Sequence, residues 1–158
     1  MKTAIVISDT HGNIKDLEKM TPLFEENDYV FHVGDGIDDL NRLPERLKEK
    51  FIIVCGNCDK QTEPSERVVE IEGVKIFMTH GHNYGAKGSP LRLLLRAKEL
   101  GASVCFYGHS HRATIETEDG VTLINPGNLT RYSIEKSFAY CVFSNGKITA
   151  CINKNFFL

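Results

Sequence analysis

Apolar residues recur along this chain in two rhythms. Unbroken apolar runs at residues 2–8, 29–33 and 51–55 read as buried strands, and the segments between them, 17–26 and 37–50, carry helical spacing. Asn13 and Asp16 form a capping region ahead of the first helix. Pro44 falls inside the second helical region and predicts two short pieces there. Strands alternating with helices of this length predict βαβ units and parallel pairing.

The rhythm changes after Glu63-Pro64. Residues 67–72 and 74–79 flank Gly73 and read as a hairpin, and 90–100 reads as one more helix with Gly101 as its stop. Short strands are predicted at 104–107, 113–117, 121–124, 138–143 and 147–152, with Asp119-Gly120 and Asn145-Gly146 as tight turns. No repeat or linker divides the chain, so residues 1–158 read as a single domain. The expected class is α/β: a four-layer α-β-β-α sandwich with two stacked mixed β-sheets and helices outside.

Composition narrows the setting. The 158 residues are 41% hydrophobic and 25% charged, which is ordinary for a globular protein. A net charge of -2 gives no electrostatic reason to expect nucleic acid or membrane, since neutralising phosphates needs a surplus of Lys and Arg. The N-terminal stretch runs straight into Asp9 without signal-peptide features, and no apolar run approaches the ~20 residues of a membrane span. A cytoplasmic location is expected. Five cysteines, Cys55, Cys58, Cys105, Cys141 and Cys151, leave one unpaired in any disulfide scheme, and three lie in apolar strand-like runs, which suits a reduced compartment.

The chemistry is concentrated at the ends of the strands. Asp9-Thr-His11, Gly34-Asp35, Gly56-Asn57, His80-Gly-His82 and Gly108-His109-Ser-His111 each cap an apolar run with groups able to bind metal, mostly beside a glycine. Ligands in open α/β sheets bind outside the carboxyl ends of strands, and glycine allows the sharp turn and close backbone approach. In an extended segment residues i and i+2 share a face, so Asp9 and His11 can reach one metal and His109 and His111 two neighbouring ones. Two cations about 3.5–4 Å apart suit in-line displacement at phosphorus, and Asp35 is the candidate bridging carboxylate. The mixture of imidazole, carboxylate and amide suits two divalent transition-metal ions, with Mn first and Ni, Fe, Co or Zn also compatible. Bound water between them would be acidified enough to supply hydroxide near neutral pH.

At these residues the chain resembles the calcineurin-like metallophosphoesterase superfamily, in its small bacterial and archaeal phosphodiesterase form. The ordered motifs span Ser8 to Gly127, with Asn125-Pro-Gly127 as a further element. The resemblance implies that Asp9, His11, Asp35 and His111 hold one metal, and that Asp35, Asn57, His80 and His109 hold the other. It implies a phosphoesterase, with a phosphodiester preferred over a monoester, acting on a small phosphate ester by attack of the bound hydroxide. Two positions depart from the pattern. Cys58 stands where many members carry the His that protonates the leaving group, and Asn128 replaces a usual Ser, a change expected to matter little.

With Cys58 a poor acid, His82 is the replacement candidate for a catalytic role. His32 reads as a satisfied core residue, Asp38 and Asp39 as a solvated helix start, and Asn13 and Arg131 as cap or surface residues with phosphate contact as the alternative. The rival function is a non-enzymatic scaffold that binds a partner protein, as the small retromer subunit of the superfamily does. Thiol redox chemistry at Cys55-x-x-Cys58 ranks third. The natural substrate is not legible, and the sequence leaves a homo-oligomer open.

Overall fold

The structure, a computed structural model, describes residues 1–157. Two five-stranded sheets form the frame. The first has the order β10-β9-β1-β2-β3, from β1 (Lys2–Ile7), β2 (Tyr29–His32), β3 (Phe51–Ile53), β9 (Phe138–Ser144) and β10 (Lys147–Asn153). The second has the order β4-β5-β6-β8-β7, from β4 (Glu66–Ile71), β5 (Val74–Thr79), β6 (Val104–Phe106), β7 (Thr114–Glu118) and β8 (Val121–Asn125). Both sheets are mixed. β1, β2 and β3 run parallel, as do β5, β6 and β8, while the hairpin partners are antiparallel.

Side-chain alternation assigns the faces. Ala4 and Val6 of β1 turn inward with Phe31, and meet Ile76, Met78 and Phe106 of the other sheet in a common buried core. Ile5 and Ile7 turn outward and pack on Leu17 of α1 (Ile14–Lys19), on Phe24 of α2 (Thr21–Glu26) and on Met20 between them. On the far side, Phe77 and Cys105 pack on Leu93, Leu94 and Ala97 of α3 (Leu91–Glu99). The α-β-β-α layering follows from this two-faced burial, because strands buried on both sides need apolar residues at every position.

Three expectations need correction. The helix expected at 17–26 is two helices, broken at Met20, with Pro22 in the first turn of the second, where its missing N–H costs nothing. The region 37–50 does divide around Pro44, but into 3₁₀ turns, Ile37–Arg42 and Glu45–Lys50, rather than α-helix. The segments carrying Asp9, His11, Asp35, His109 and His111 are not extended. All five residues have φ between 41° and 69°. No described helix is long and apolar enough to cross a membrane.

Candidate metal centre

The parallel strands deliver the polar residues to one edge of the sandwich. Asp9 and His11 follow β1, Asp35 follows β2, Asn57 follows β3, His80 follows β5, and His109 and His111 follow β6. Donor atoms of Asp9, His11 and His111 lie within 4.8 Å of one another, and so do those of Asp35, His80 and His109. The two groups adjoin: His11 Nε2 is 3.5 Å from Asp9 Oδ1 and 3.9 Å from Asp35 Oδ2. His80 Nε2 is 3.2 Å from Asp35 Oδ2 and 3.9 Å from Asp9 Oδ1. Asn57 is exposed, its amide 3.6 Å from the Cys58 sulfur, and so stands at the rim of the group.

Hydrogen bonding fixes which atoms face inward. His80 Nδ1 donates to Val33 O at 2.9 Å, so Nε2 is the nitrogen turned to the site, free to offer its lone pair whenever the ring is neutral. That nitrogen meets the Asp35 carboxylate, and His109 Nδ1 lies 3.2 Å from it. His111 Nε2 comes within 3.0 Å of Asp9 Oδ1, yet this oxygen is buried without an aligned hydrogen bond. Acceptors facing one another in a buried place need positive charge between them.

The protonation equilibria report the same need. Burial works to raise the Asp9 carboxyl, but the His11 and His111 imidazoles outweigh it and hold it well below the usual range. Burial likewise opposes, and His80 together with the Cys58 N–H overcomes it, to bring Asp35 down to about 2. The Asp9 carboxylate raises His11. His80 is raised by Asp35 and Asp9 against the pull of burial. In each case a proton does what a cation would do better. Two carboxylates, one with an orphaned buried oxygen, and ring nitrogens turned into the site form a donor set that fits divalent transition metals.

Close packing around Asp35 and Asp9 explains the glycines. A Cβ on Gly56 would collide with Asp35 Oδ1, and one on Gly108 with the hydroxyl of Ser8, which itself donates to Asp9 Oδ2.

Several residues hold this geometry in roles the sequence did not show. Asp59 is the chief one. Its Oδ2 accepts from the N–H groups of Asp35 and Gly56, both at 2.7 Å, and its Oδ1 from those of Gly36 and Ile37. A carboxylate three residues beyond Gly56 and two beyond Asn57 was the available sign. Asp39 is not simply a solvated helix start: it accepts from Thr10 Oγ1 at 2.6 Å and Gly12 N at 2.8 Å. Asp38 is exposed. Asn128 also does more than expected, since its amide donates to His111 O and so holds the loop bearing that imidazole.

The remaining candidates divide. His32 is fully buried; it accepts from Gly34 N through Nδ1, which leaves Nε2–H for Thr10 Oγ1. Burial pushes its pKa down to about 4, so it is a neutral, satisfied core imidazole. Asn13 spends its amide on Asp16 and Leu129 O. Arg131 lines a cavity of about 530 Å³ with Lys15, Lys19 and Lys136, and a second cavity of about 520 Å³ includes His111, Arg112 and Asn128. His82 belongs to neither donor group; its ring centroid lies 5.5 Å from that of His80 and 6.2 Å from that of His109. Cys55 is buried with its thiol on Lys60 O, Cys58 is exposed, and all five cysteines are free. Burial and the neighbouring Asp35 raise the Cys58 thiol.

Comparison with known proteins agrees with this arrangement. Residues 1–147 match the calcineurin-like phosphoesterase superfamily domain. The chain is 34% identical to the probable metallophosphoesterase YsnB of Bacillus subtilis over 142 residues, covering 89% of this chain and 82% of that one. It is 29% identical to the phosphodiesterase YfcE of Escherichia coli, over 82% of this chain and 80% of that one. A solved predicted phosphoesterase from Streptococcus pneumoniae superposes with a TM-score of 0.81 at 28% identity, covering 97% of this chain and 89% of that one. Vacuolar protein sorting 29 from Cryptosporidium parvum shares the fold, with a TM-score of 0.75 at 18% identity over 96% of both chains. With nearly its whole length matched and a metal-suited donor set at the strand ends, this chain belongs to the calcineurin-like phosphoesterase superfamily.

Proposed function

We propose that the protein is a metal-dependent phosphodiesterase. Asp9, His11, Asp35 and His111 would hold one divalent cation, and Asp35, Asn57, His80 and His109 would hold the second. One observation carries this reading: the buried Asp9 Oδ1 has no hydrogen-bond partner while His80, its Nδ1 held by Val33 O, turns Nε2 to the Asp35 carboxylate. When bound, such a pair of ions supplies Lewis-acid charge for the phosphoryl oxygens and acidifies a water molecule for attack.

The chain's own residues position and orient. Val33 O fixes the ring of His80, Asn128 holds the loop of His111, and Asp59 gathers the N–H groups that set the Asp35 loop. No imidazole stands at Cys58 to protonate a poor leaving group, so esters that leave readily are preferred. YfcE is named a phosphodiesterase, which agrees with that preference. His82, at the edge of the cluster and outside both donor groups, is the imidazole left to face the leaving group. Mixed nitrogen and oxygen donors suit Mn, with Ni, Fe, Co and Zn as alternatives.

The test is hydrolysis of bis(p-nitrophenyl) phosphate by metal-free protein supplied in turn with Mn, Ni, Co, Fe and Zn. Turnover with at least one ion, and faster than with p-nitrophenyl phosphate, is expected. Absence of turnover with every ion would remove the enzymatic reading. The fold shared with vacuolar protein sorting 29 favours a second one, a partner-binding scaffold. Asp35→Ala separates the two, because a scaffold keeps its partner and an enzyme loses its activity.

A further inference from the structure

The donor atoms of His11, Asp35 and Cys58 form a third group, all within 4.8 Å of one another. We propose that Cys58 is itself a metal ligand, its sulfur joining His11 and Asp35 as a thiolate donor to one cation of the pair. The inference rests on the two-metal reading above and adds to it a ligand of different chemistry.

Three features support the assignment. The Cys58 N–H donates to Asp35 Oδ1 at 2.8 Å, which ties the residue's backbone to the shared carboxylate. The group takes one member from each of the other two, His11 from the first and Asp35 from the second, so the sulfur stands over their junction. The buried, unpartnered Asp9 Oδ1 is 3.5 Å from His11 Nε2 and independently points to a cation beside that imidazole. Bond lengths of ~2.3 Å to sulfur and ~2.1 Å to nitrogen or oxygen place two donors of one ion at most ~4.4 Å apart, so a small rotation of the Cys58 side chain closes the set. Cys55 cannot substitute, being buried with its thiol on Lys60 O.

On binding, the S–H bond breaks, the proton passes to solvent and a metal–sulfur bond forms. A soft donor tilts the site from Mn towards Zn and Co. Cys58 then serves the metal and not the leaving group.

Cobalt(II) loading gives the test, read by absorption and by metal content. Wild type should show a sulfur-to-cobalt charge-transfer band. Cys58→Ser should lose that band, and Cys151→Ser, at an exposed site away from the cluster, should keep it. Cys58→Ser should also weaken zinc binding by about 10- to 100-fold, the range seen when metal sites lose a supporting group, with manganese binding little changed. If Cys58→Ser does not fold, wild type alone decides. Iodoacetamide mapped by mass spectrometry should label Cys58 in the metal-free protein and at least tenfold more slowly once cobalt or zinc is bound. Cobalt bound without the band, or Cys58 labelled equally fast in both states, overturns this inference while leaving the two-metal reading intact. No uptake of cobalt or zinc overturns this inference, and no uptake of Mn, Ni, Fe, Co or Zn overturns both.

Discussion

Left-handed backbone occurs at both ends of this sandwich, and the two ends tolerate it by different means. At one end stand the hairpin turns Glu72-Gly73, Asp119-Gly120 and Asn145-Gly146, whose paired positive φ angles suit tight two-residue turns. These turns are exposed and close local hairpins. At the other end Asp9, His11, Asp35, His109 and His111 adopt the same region with side chains gathered inward. A non-glycine residue held there costs about 1–3 kcal/mol, and persists only where surroundings over-determine it. The surroundings here are long-range: Gly34 O accepts from Asp9 N, Asp35 O from His11 N, and Asp9 Oδ2 from His109 N. At Asp119 and Asn145 the hairpins keep that strain small by residue choice, and at Glu72 a single long-range bond from Gly146 N helps hold it, whereas at the site several tertiary hydrogen bonds sustain it.

Removing the anchor on the site end should therefore cost most. Asp59→Ala leaves four backbone N–H groups without their acceptor and frees the Asp35 loop. With about 1–3 kcal/mol for each buried group left unpaired, and water recovering part of it, about 3 kcal/mol of stability should be lost in urea unfolding. Metal affinity should fall with it. Stability unchanged within about 0.5 kcal/mol, as for an ordinary surface substitution, would show that the loop does not depend on this carboxylate.

A second difference between the ends is that all six histidines lie on the site side, at or next to the strand ends. His32 is buried neutral there, with a pKa near 4 in the folded protein against 6.5 ordinarily. A depressed histidine contributes stability that is intact above pH ~6.5 and is lost as pH falls towards 4, because only the unfolded chain takes up the proton. Metal-free wild type should thus lose about 2 kcal/mol between pH 7.5 and 5 that His32→Gln does not lose. The raised pKa values of His11 and His80 act in the opposite direction, and comparison of the two proteins cancels them. Parallel pH profiles would contradict the assignment of His32 as an uncharged core residue.

The smallest effect belongs to the hairpin end. Gly146 has φ 75° and open space where a Cβ would go, so Gly146→Ala meets only backbone strain. It should cost about 1 kcal/mol in thermal unfolding and leave diester hydrolysis untouched. A marked loss of activity would mean that the two ends are coupled, against the local character given to the turns.

Strands and hairpins were largely legible in the sequence because apolar runs and Asp-Gly or Asn-Gly pairs act locally. The convergence of Asp9, His11, Asp35, His80, His109 and His111 was legible for a different reason, since each lies just beyond an apolar strand. The route by which they converge was not. Period-two spacing assumed extended loops, and left-handed φ at His and Asp leaves no local mark; the grouping of His109 with Asp35 and of His111 with Asp9 was what the family resemblance implied, and the donor atoms cluster in that way. Pro22 lay in view, yet helical periodicity across Met20 masked the break between α1 and α2. Asp59, Asp39 and Asn128 look like ordinary loop residues until the fold brings distant N–H, hydroxyl and carbonyl groups to them.

The proposed chemistry depends on Asp35 serving two ions at once. Metal content after loading and dialysis, measured by plasma mass spectrometry on wild type and Asp35→Ala, tests this directly. Two equivalents per chain in wild type and fewer than one in Asp35→Ala is the predicted result. A wild type that retains no Mn, Ni, Fe, Co or Zn, or an Asp35→Ala protein that still holds two ions, would contradict it.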